Sequence, residues 1–193
     1  MQGIKNINGL VNVCDIDDGF IIDLRYAKEN NFTRKKIYPA EVCVLQEETA
    51  LKLSRANRDF KELGLKIKVW DAYRPIYVQR IFWDMVRDDR FVANPNKNAS
   101  RHNRGTAVDI TLVKENGEEL RMPSEFDDFS EKAYRNYKFM SSEERDNLNL
   151  MTEIMLSNGF LIIDTEWWHF EDDAYKKYDI YNIDLDQFIR VKK

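Results

Sequence analysis

The sequence predicts an α+β fold: a single domain over residues 1–193, with a central antiparallel sheet and helices packed on one side of it. Three observations point there. Stretches with helical spacing of apolar residues are interleaved irregularly with short stretches of two-residue alternation, so the strand–helix–strand rhythm of a parallel sheet is absent. The Glu115-Asn116-Gly117 signal joins neighbouring strands as a hairpin. Finally, 43% hydrophobic residues with only 7 Gly and 4 Pro among 193 suit one core rather than a disordered, collagenous or repeat chain.

Residues Gly19 to Tyr26 carry Phe20, Ile21, Ile22 and Leu24 ahead of a polar Lys28 to Asn31 segment, the pattern of a strand running into a candidate binding loop. From about Val42 to Leu63, Leu45, Leu53, Ala56, Phe60 and Leu63 recur at helical intervals, and Gly64 sits where a C-terminal cap belongs. Leu65 to Trp70 alternates apolar residues with lysines as a half-exposed strand. Pro75 then suits the first turn of a helix reaching about Arg87. Gly105 to Val113 reads as a strand with Val108, Ile110 and Leu112 turned to the core, so that Asp109 faces elsewhere. After the Gly117 turn, a return strand is expected through Leu120 to Met122. Ser141 and Glu144 form a capping box for a helix that uses Leu148, Met151, Ile154 and Met155 and stops at Gly159. Phe160 to Ile163 and Trp167 to Phe170 close the chain as two short, coupled strands.

The charge balance narrows the functional classes. Thirty basic against 34 acidic residues leave a net charge of -4, so no positive field gathers nucleic acid or an anionic membrane surface. No stretch approaches the roughly 20 apolar residues of a membrane span, and the N-terminus lacks the apolar segment of a secretory signal. The two cysteines are too few for a disulfide framework and fit no zinc motif. The expectation is a soluble, cytoplasmic protein with a small-molecule partner.

The chain has 2 histidines, His102 and His169, each beside carboxylates. Hydrolytic zinc commonly takes three His or carboxylate ligands and keeps a fourth position for water, and His102, Asp109 and His169 supply such a set. Gly105 allows the chain to bend between the first two. Lone histidines also occupy ordinary surface and core positions, so this spacing alone leaves both readings open. Glu166 precedes His169 by three residues, which places the two on opposite faces of a perfect strand. A catalytic role for Glu166 as general base therefore requires a bend around Trp167 and Trp168. The alternative is a tryptophan-rich core strand with a solvated glutamate. Arg74, in the turn Asp71-Ala72-Tyr73-Arg74-Pro75, is either an oxyanion donor or a turn arginine facing water.

Taken together these segments resemble the VanX-type D-alanyl-D-alanine dipeptidases, within the wider group of zinc D,D-peptidases that includes the D-Ala-D-Ala carboxypeptidases. Asp23-Leu24-Arg25-Tyr26-Ala27 with Asn31-Phe32-Thr33 is similar to that family's substrate loop, and Trp70 to Pro75 to its arginine turn. Ser100 to Asp109 fits the S-x-H-x-x-G-x-A-x-D motif in full, and Glu166-Trp167-Trp168-His169 fits its E-x-x-H partner. The resemblance implies one Zn2+ per chain on His102, Asp109 and His169, Glu166 as base and Arg74 as the group polarising the scissile carbonyl. It also implies Asp127 as receptor of the substrate ammonium, with Tyr26 and Ser100 completing the pocket. Two departures stand out: Ala72 where the family often has Gly, and Pro123 where a Gly usually follows the methionine. Pro123 is expected to reshape the pocket wall.

The implied reaction is hydrolysis of D-Ala-D-Ala to free D-alanine. It serves glycopeptide resistance or recovery of D-Ala from wall turnover, which gene neighbourhood distinguishes. Two rivals remain at this point. One is a peptidoglycan carboxypeptidase or endopeptidase acting on longer stem peptides, and the other a non-enzymatic zinc-binding module, for which neither Glu166 nor Arg74 is needed.

Overall fold

The computed structural model describes residues 4–189 and contains two sheets and three α-helices. The larger sheet has the order β3-β5-β6-β8-β7, built from Ile21–Ile22 (β3), Leu65–Asp71 (β5), Ala107–Lys114 (β6), Phe160–Ile162 (β7) and His169–Asp172 (β8). All of its pairings are antiparallel except the short edge pair β3–β5. The smaller sheet, with the order β1-β2-β4, joins Asn6–Ile7 (β1), Leu10–Asn12 (β2) and Val44–Gln46 (β4). The helices are Glu47–Glu62 (α1), Ile76–Val86 (α2) and Ser142–Ser157 (α3).

The expected helix from Val42 starts later than its spacing suggests. Residues 44–46 are a fully buried strand, and α1 begins at Glu47. Leu45 keeps helical phase with Leu53, but tertiary pairing with β2 outweighs that local signal. Within α1, Ala50, Leu53, Ala56 and Phe60 are buried on one stripe, and Glu47 and Glu48 favour the positive end of the helix dipole. Burying Leu53 and Phe60 stabilises by roughly 1.5–3 kcal/mol each. Asn57, on the same stripe, accepts a hydrogen bond from the Ile67 amide at 3.0 Å and ties α1 to β5. The capping box at α3 is present: the Glu144 amide donates to Ser141 Oγ at 3.2 Å, and the Ser141 amide to Glu144 Oε2 at 2.8 Å. α1 packs on β5, α3 on β7, and the two helices touch.

In strand β6, Asp109 lies on the face opposite Val108, Ile110 and Leu112, as the alternation predicts, but that face is covered as well: every residue from Ala107 to Val113 is buried. The reason is position: β6 lies between β5 and β8, and both of its faces are covered. One face, with Val108, Ile110 and Leu112, belongs to the apolar core. The other carries Asp109, directly opposite His169 of β8. A register shift between Val69 and Asp71 brings Asp71 of β5 opposite Asp109 as well. Thus three polar residues share one buried sheet face. The Leu120–Met122 return does not form a strand; it is reduced to a bridge between Val113 and Glu119 and a Leu120-to-Leu112 backbone bond of 2.9 Å. Among the described residues no helix is long and apolar enough to cross a membrane.

The two sheets meet at the turn 101–105. Gly105 has φ +71° and its carbonyl accepts the Gln46 amide at 2.8 Å. A Cβ at this position would stand 2.4 Å from Leu10 Cδ2 and 3.2 Å from the Gln46 backbone nitrogen. Gly105→Ala therefore adds backbone strain and a clash, and is expected to lower stability by roughly 1–3 kcal/mol. Urea unfolding checks this; an unchanged midpoint would contradict the tight crossing.

Candidate metal centre

Three sequence-distant segments build the site. His102 lies in a 310 turn, Arg101–Arg104, capped by Ser100, whose Oγ accepts the His102 amide at 3.2 Å. Asp109 follows on β6 and His169 opens β8. The Arg74 amide donates to the His102 carbonyl at 3.0 Å and Asn103 Nδ2 to the Arg74 carbonyl at 2.7 Å, so the arginine turn and the histidine turn are locked together.

His102 Nε2, His169 Nδ1 and Asp109 Oδ1 form a triangle with edges of 3.2, 2.9 and 3.3 Å. A tetrahedral ion held at about 2.0–2.1 Å sets ligand–ligand edges of roughly 3.3–3.4 Å, so the triangle fits three ligands of one zinc ion. The outward nitrogens are occupied too. His102 Nδ1 lies 2.7 Å from the Ala72 carbonyl, and His169 Nε2 lies 3.3 Å from Glu171 Oε1. Partners of this kind fix the tautomer that leaves the inward nitrogen free for a metal. Burial opposes charge on Asp109, but the two imidazoles hold its carboxyl well below the usual range. Burial likewise works against a charged His169, yet Asp109 and Glu171 push that imidazole up to about 10.

Residues 163–168 form the bend that Glu166 requires. Trp167 and Trp168 occupy a turn, the His169 amide reaches back to the Glu166 carbonyl at 3.3 Å, and Glu166 Oε2 stands 3.9 Å from His169 Nδ1. The Glu166 side chain is 20% exposed, and burial pushes its carboxyl up to about 6, with His169 pulling the other way. This places a proton acceptor beside the triangle. Arg135, which sequence reasoning missed, braces the bend: it donates to the carbonyls of Ile163 at 3.0 Å and His169 at 2.9 Å and to Thr152 Oγ1 at 3.0 Å.

Arg74 is buried, not the solvent-facing turn arginine of the alternative. Its Nε and Nη2 donate to Asp71 Oδ2 at 3.1 and 2.6 Å, and Nη1 donates to Gln79 Oε1 at 2.8 Å. Tyr38 Oη donates to the other Asp71 oxygen at 2.5 Å. The guanidinium also lies over the rings of Tyr26 and Phe82, at 5.4 and 4.9 Å. Asp71, Gln79 and Tyr38 were missed, although Asp71 at three residues before Arg74 is a visible partner spacing.

The cavity around this centre measures about 320 Å³ and is lined by Tyr26, Arg74, Ser100, Asp127 and Glu166 together with the triangle, so every predicted site residue is on one wall or another. Tyr26 Oη lies 3.1 and 3.2 Å from the two Asp127 oxygens. Asp127 itself has φ +60°, a left-handed backbone that Asp tolerates better than most residues. Burial raises its carboxyl well above the usual range, with Asp109 and Glu166 adding to the effect, and a cation placed beside it would favour the ionised form. Ala72 is accommodated where a Gly was expected, buried and without positive φ. Pro123 lines a separate cavity with Trp70, Met122 and Trp167 and is not part of the wall of the site.

A family model described as D-ala-D-ala dipeptidase, of the M15 peptidases, matches residues 6–188. The chain belongs to this family. It is 34% identical over 162 residues to the D-alanyl-D-alanine dipeptidase of Escherichia coli K12, covering 84% of this chain and 83% of that one. It is 28% identical over 190 residues to the D-alanyl-D-alanine dipeptidase of Enterococcus faecalis V583, covering 87% and 94%. Among solved structures, the LdcB LD-carboxypeptidase superposes with a TM-score of 0.50 at 19% identity, over 90% of this chain and 73% of that one, a likeness of fold. Membership makes the chain a peptidase of the class that the paired motifs implied.

The Asp71–Arg74 pair is buried on both sides, with side chains 0% and 9% exposed. Asp71→Ala leaves the guanidinium uncompensated and is expected to cost about 3–5 kcal/mol. Chemical denaturation of the metal-loaded protein measures it, and a loss under about 1 kcal/mol would show that Arg74 finds another partner.

Proposed function

We propose that the chain hydrolyses D-alanyl-D-alanine, and small D,D-dipeptides like it, to free D-amino acids. His102, Asp109 and His169 would hold one Zn2+, which when bound supplies Lewis acidity and lowers the pKa of a coordinated water. The remaining chemistry belongs to side chains of the chain. Asp127, helped by Tyr26, receives the substrate ammonium through charge-assisted bonds and so fixes which peptide bond is presented. Glu166 takes the proton of the attacking water and passes it to the departing amine, a shuttle suited to a carboxyl raised to about 6. Arg74, held rigid by Asp71 and Gln79, presents a fixed positive charge to the oxygen of the scissile carbonyl as it gains negative charge. Phe32, Phe82, Phe91 and Phe129 pack in a chain of edge contacts 5.1–5.4 Å apart along the cavity and exclude bulk water.

One observation carries the choice of a dipeptide over a stem peptide. The Asp127 carboxylate lies inside the same 320 Å³ cavity as the metal-ligand triangle. A carboxypeptidase or endopeptidase substrate has an amide, not an ammonium, one residue before the scissile bond, and would leave Asp127 buried against a neutral group. The presence of Glu166 and Arg74 beside the triangle weighs equally against a binding-only zinc module. A cytoplasmic site of action is part of this reading.

The test is release of D-alanine from D-Ala-D-Ala by the zinc-loaded protein, with L-Ala-L-Ala and a chelator as controls. Turnover of the D,D-dipeptide alone, lost with chelation, is expected; comparable cleavage of intact stem peptides would reassign the protein to the carboxypeptidases. Alanine at His102, Asp109 or His169 should abolish stoichiometric zinc in metal analysis. Glu166→Gln should retain zinc and lose at least about 10²-fold in kcat; near-normal turnover would remove Glu166 from its role.

A further inference from the structure

A dipeptide zwitterion has a second charged end, and none of the groups so far assigned receives it. The cavity is rich in carboxylates, Asp89, Asp109, Asp127, Glu166 and Glu171, so an anion there needs a dedicated cation. Its lining includes three arginines and no lysine. Arg74 is bound through all three nitrogens to Asp71 and Gln79, and its remaining charge is already assigned to the scissile carbonyl. Arg90 is bound through Nε and Nη2 to Asp88, and its side chain is 71% exposed. Arg101 remains.

Its surroundings suit a receptor. The Arg101 side chain is 27% exposed, and its guanidinium is stacked over Tyr175 at 4.1 Å, which fixes its plane at little entropic cost. Its Nε is buried without a hydrogen-bond partner and stands 3.5 Å from Glu171 Oε2. Nη1 and Nη2 make no hydrogen bond to the described residues. Position is the second argument. Asp127 sits on the Arg74 side of the metal-ligand triangle, joined to Tyr26, over whose ring Arg74 lies. Arg101 lines the same cavity but contacts neither Tyr26 nor Arg74; it is next to His102 in the chain and beside Glu171, which occupies the outward nitrogen of His169.

We infer that Arg101 receives the C-terminal carboxylate of the dipeptide. This rests on the dipeptidase reading and deepens it: with Asp127 at one end and Arg101 at the other, the site measures its substrate by two opposite charges. A C-terminally extended or amidated peptide forfeits the second contact. Glu171 holds the guanidinium only loosely, at 3.5 Å through one nitrogen, and leaves the forked edge for a bidentate carboxylate.

The experiment compares D-Ala-D-Ala with D-Ala-D-Ala amide. Binding of each is measured by calorimetry to zinc-loaded Glu166→Gln protein with and without Arg101→Gln, and kcat/KM for each is measured in the Glu166 background. Arg101→Gln is expected to weaken binding of the free acid about 10-fold or more while the amide shifts by less than about 2-fold. The acid-to-amide ratio of kcat/KM should collapse in parallel, and Arg101→Lys should restore part of it. Equal losses for both ligands would assign Arg101 a merely structural part through Glu171 and His169, and an unchanged acid affinity would remove it from the site; either overturns the inference while dipeptidase activity stands. If the unmutated zinc-loaded protein releases no D-alanine and the Glu166→Gln protein binds neither ligand, the dipeptidase reading falls and this one with it.

Discussion

The site depends on one cross-strand pair, Asp109 of β6 opposite His169 of β8. Register is the governing constraint, because side chains in a sheet alternate and a slip of one strand by one residue would turn one of the two groups to the apolar face. The pairing is held by the next rung, Val108 against Phe170, two fully buried residues that tolerate no exchange with their polar neighbours. Apolar burial on one face of the sheet thus places chemistry on the other. The same logic brings Asp71 into line, where a bulge in β5 corrects a phase that strict alternation would have reversed.

Charges that would be costly if isolated are arranged as mutual partners. Asp71 neutralises Arg74, Glu171 stands between His169 and Arg101, and Asp109 is shared by both imidazoles. Asp127 forms no ion pair among the described residues and has the Tyr26 hydroxyl as its partner. In the reading proposed above, the protein carries its own compensation for these groups and leaves Asp127 for the ligand to complete. That division separates what must be rigid before binding from what is satisfied by binding.

The sequence was most legible where local chemistry is strict. The Ser141–Glu144 capping box, the glycine stop after α1 and the bend demanded by the Glu166–His169 spacing all reappear in the structure. The ligand triangle was legible as a residue set, because so few histidines leave little choice. What escaped was context. Val44–Gln46 looked helical because a three-residue strand has too little alternation to declare itself, and the burial of Asp109 was not readable because nothing in a single strand announces a covered second face. Tyr38 and Arg135 support groups more than thirty residues away, Gln79 reaches Arg74 from the next helix, and only Glu171, two residues beyond His169 on the same strand face, carried a readable signal.

The crossing of the two sheets has a consequence for how the protein matures. Gln46 binds Gly105, Val44 accepts the Tyr73 amide, and the Arg74 amide closes on His102, so the N-terminal strands, the arginine turn and the first imidazole are fastened in one knot of backbone bonds. His169 arrives from more than sixty residues further along the chain. Loops of such separation close late in folding, since their entropy is repaid only when the intervening sheet has formed. The three-residue metal set is therefore complete only once β6 and β8 have paired.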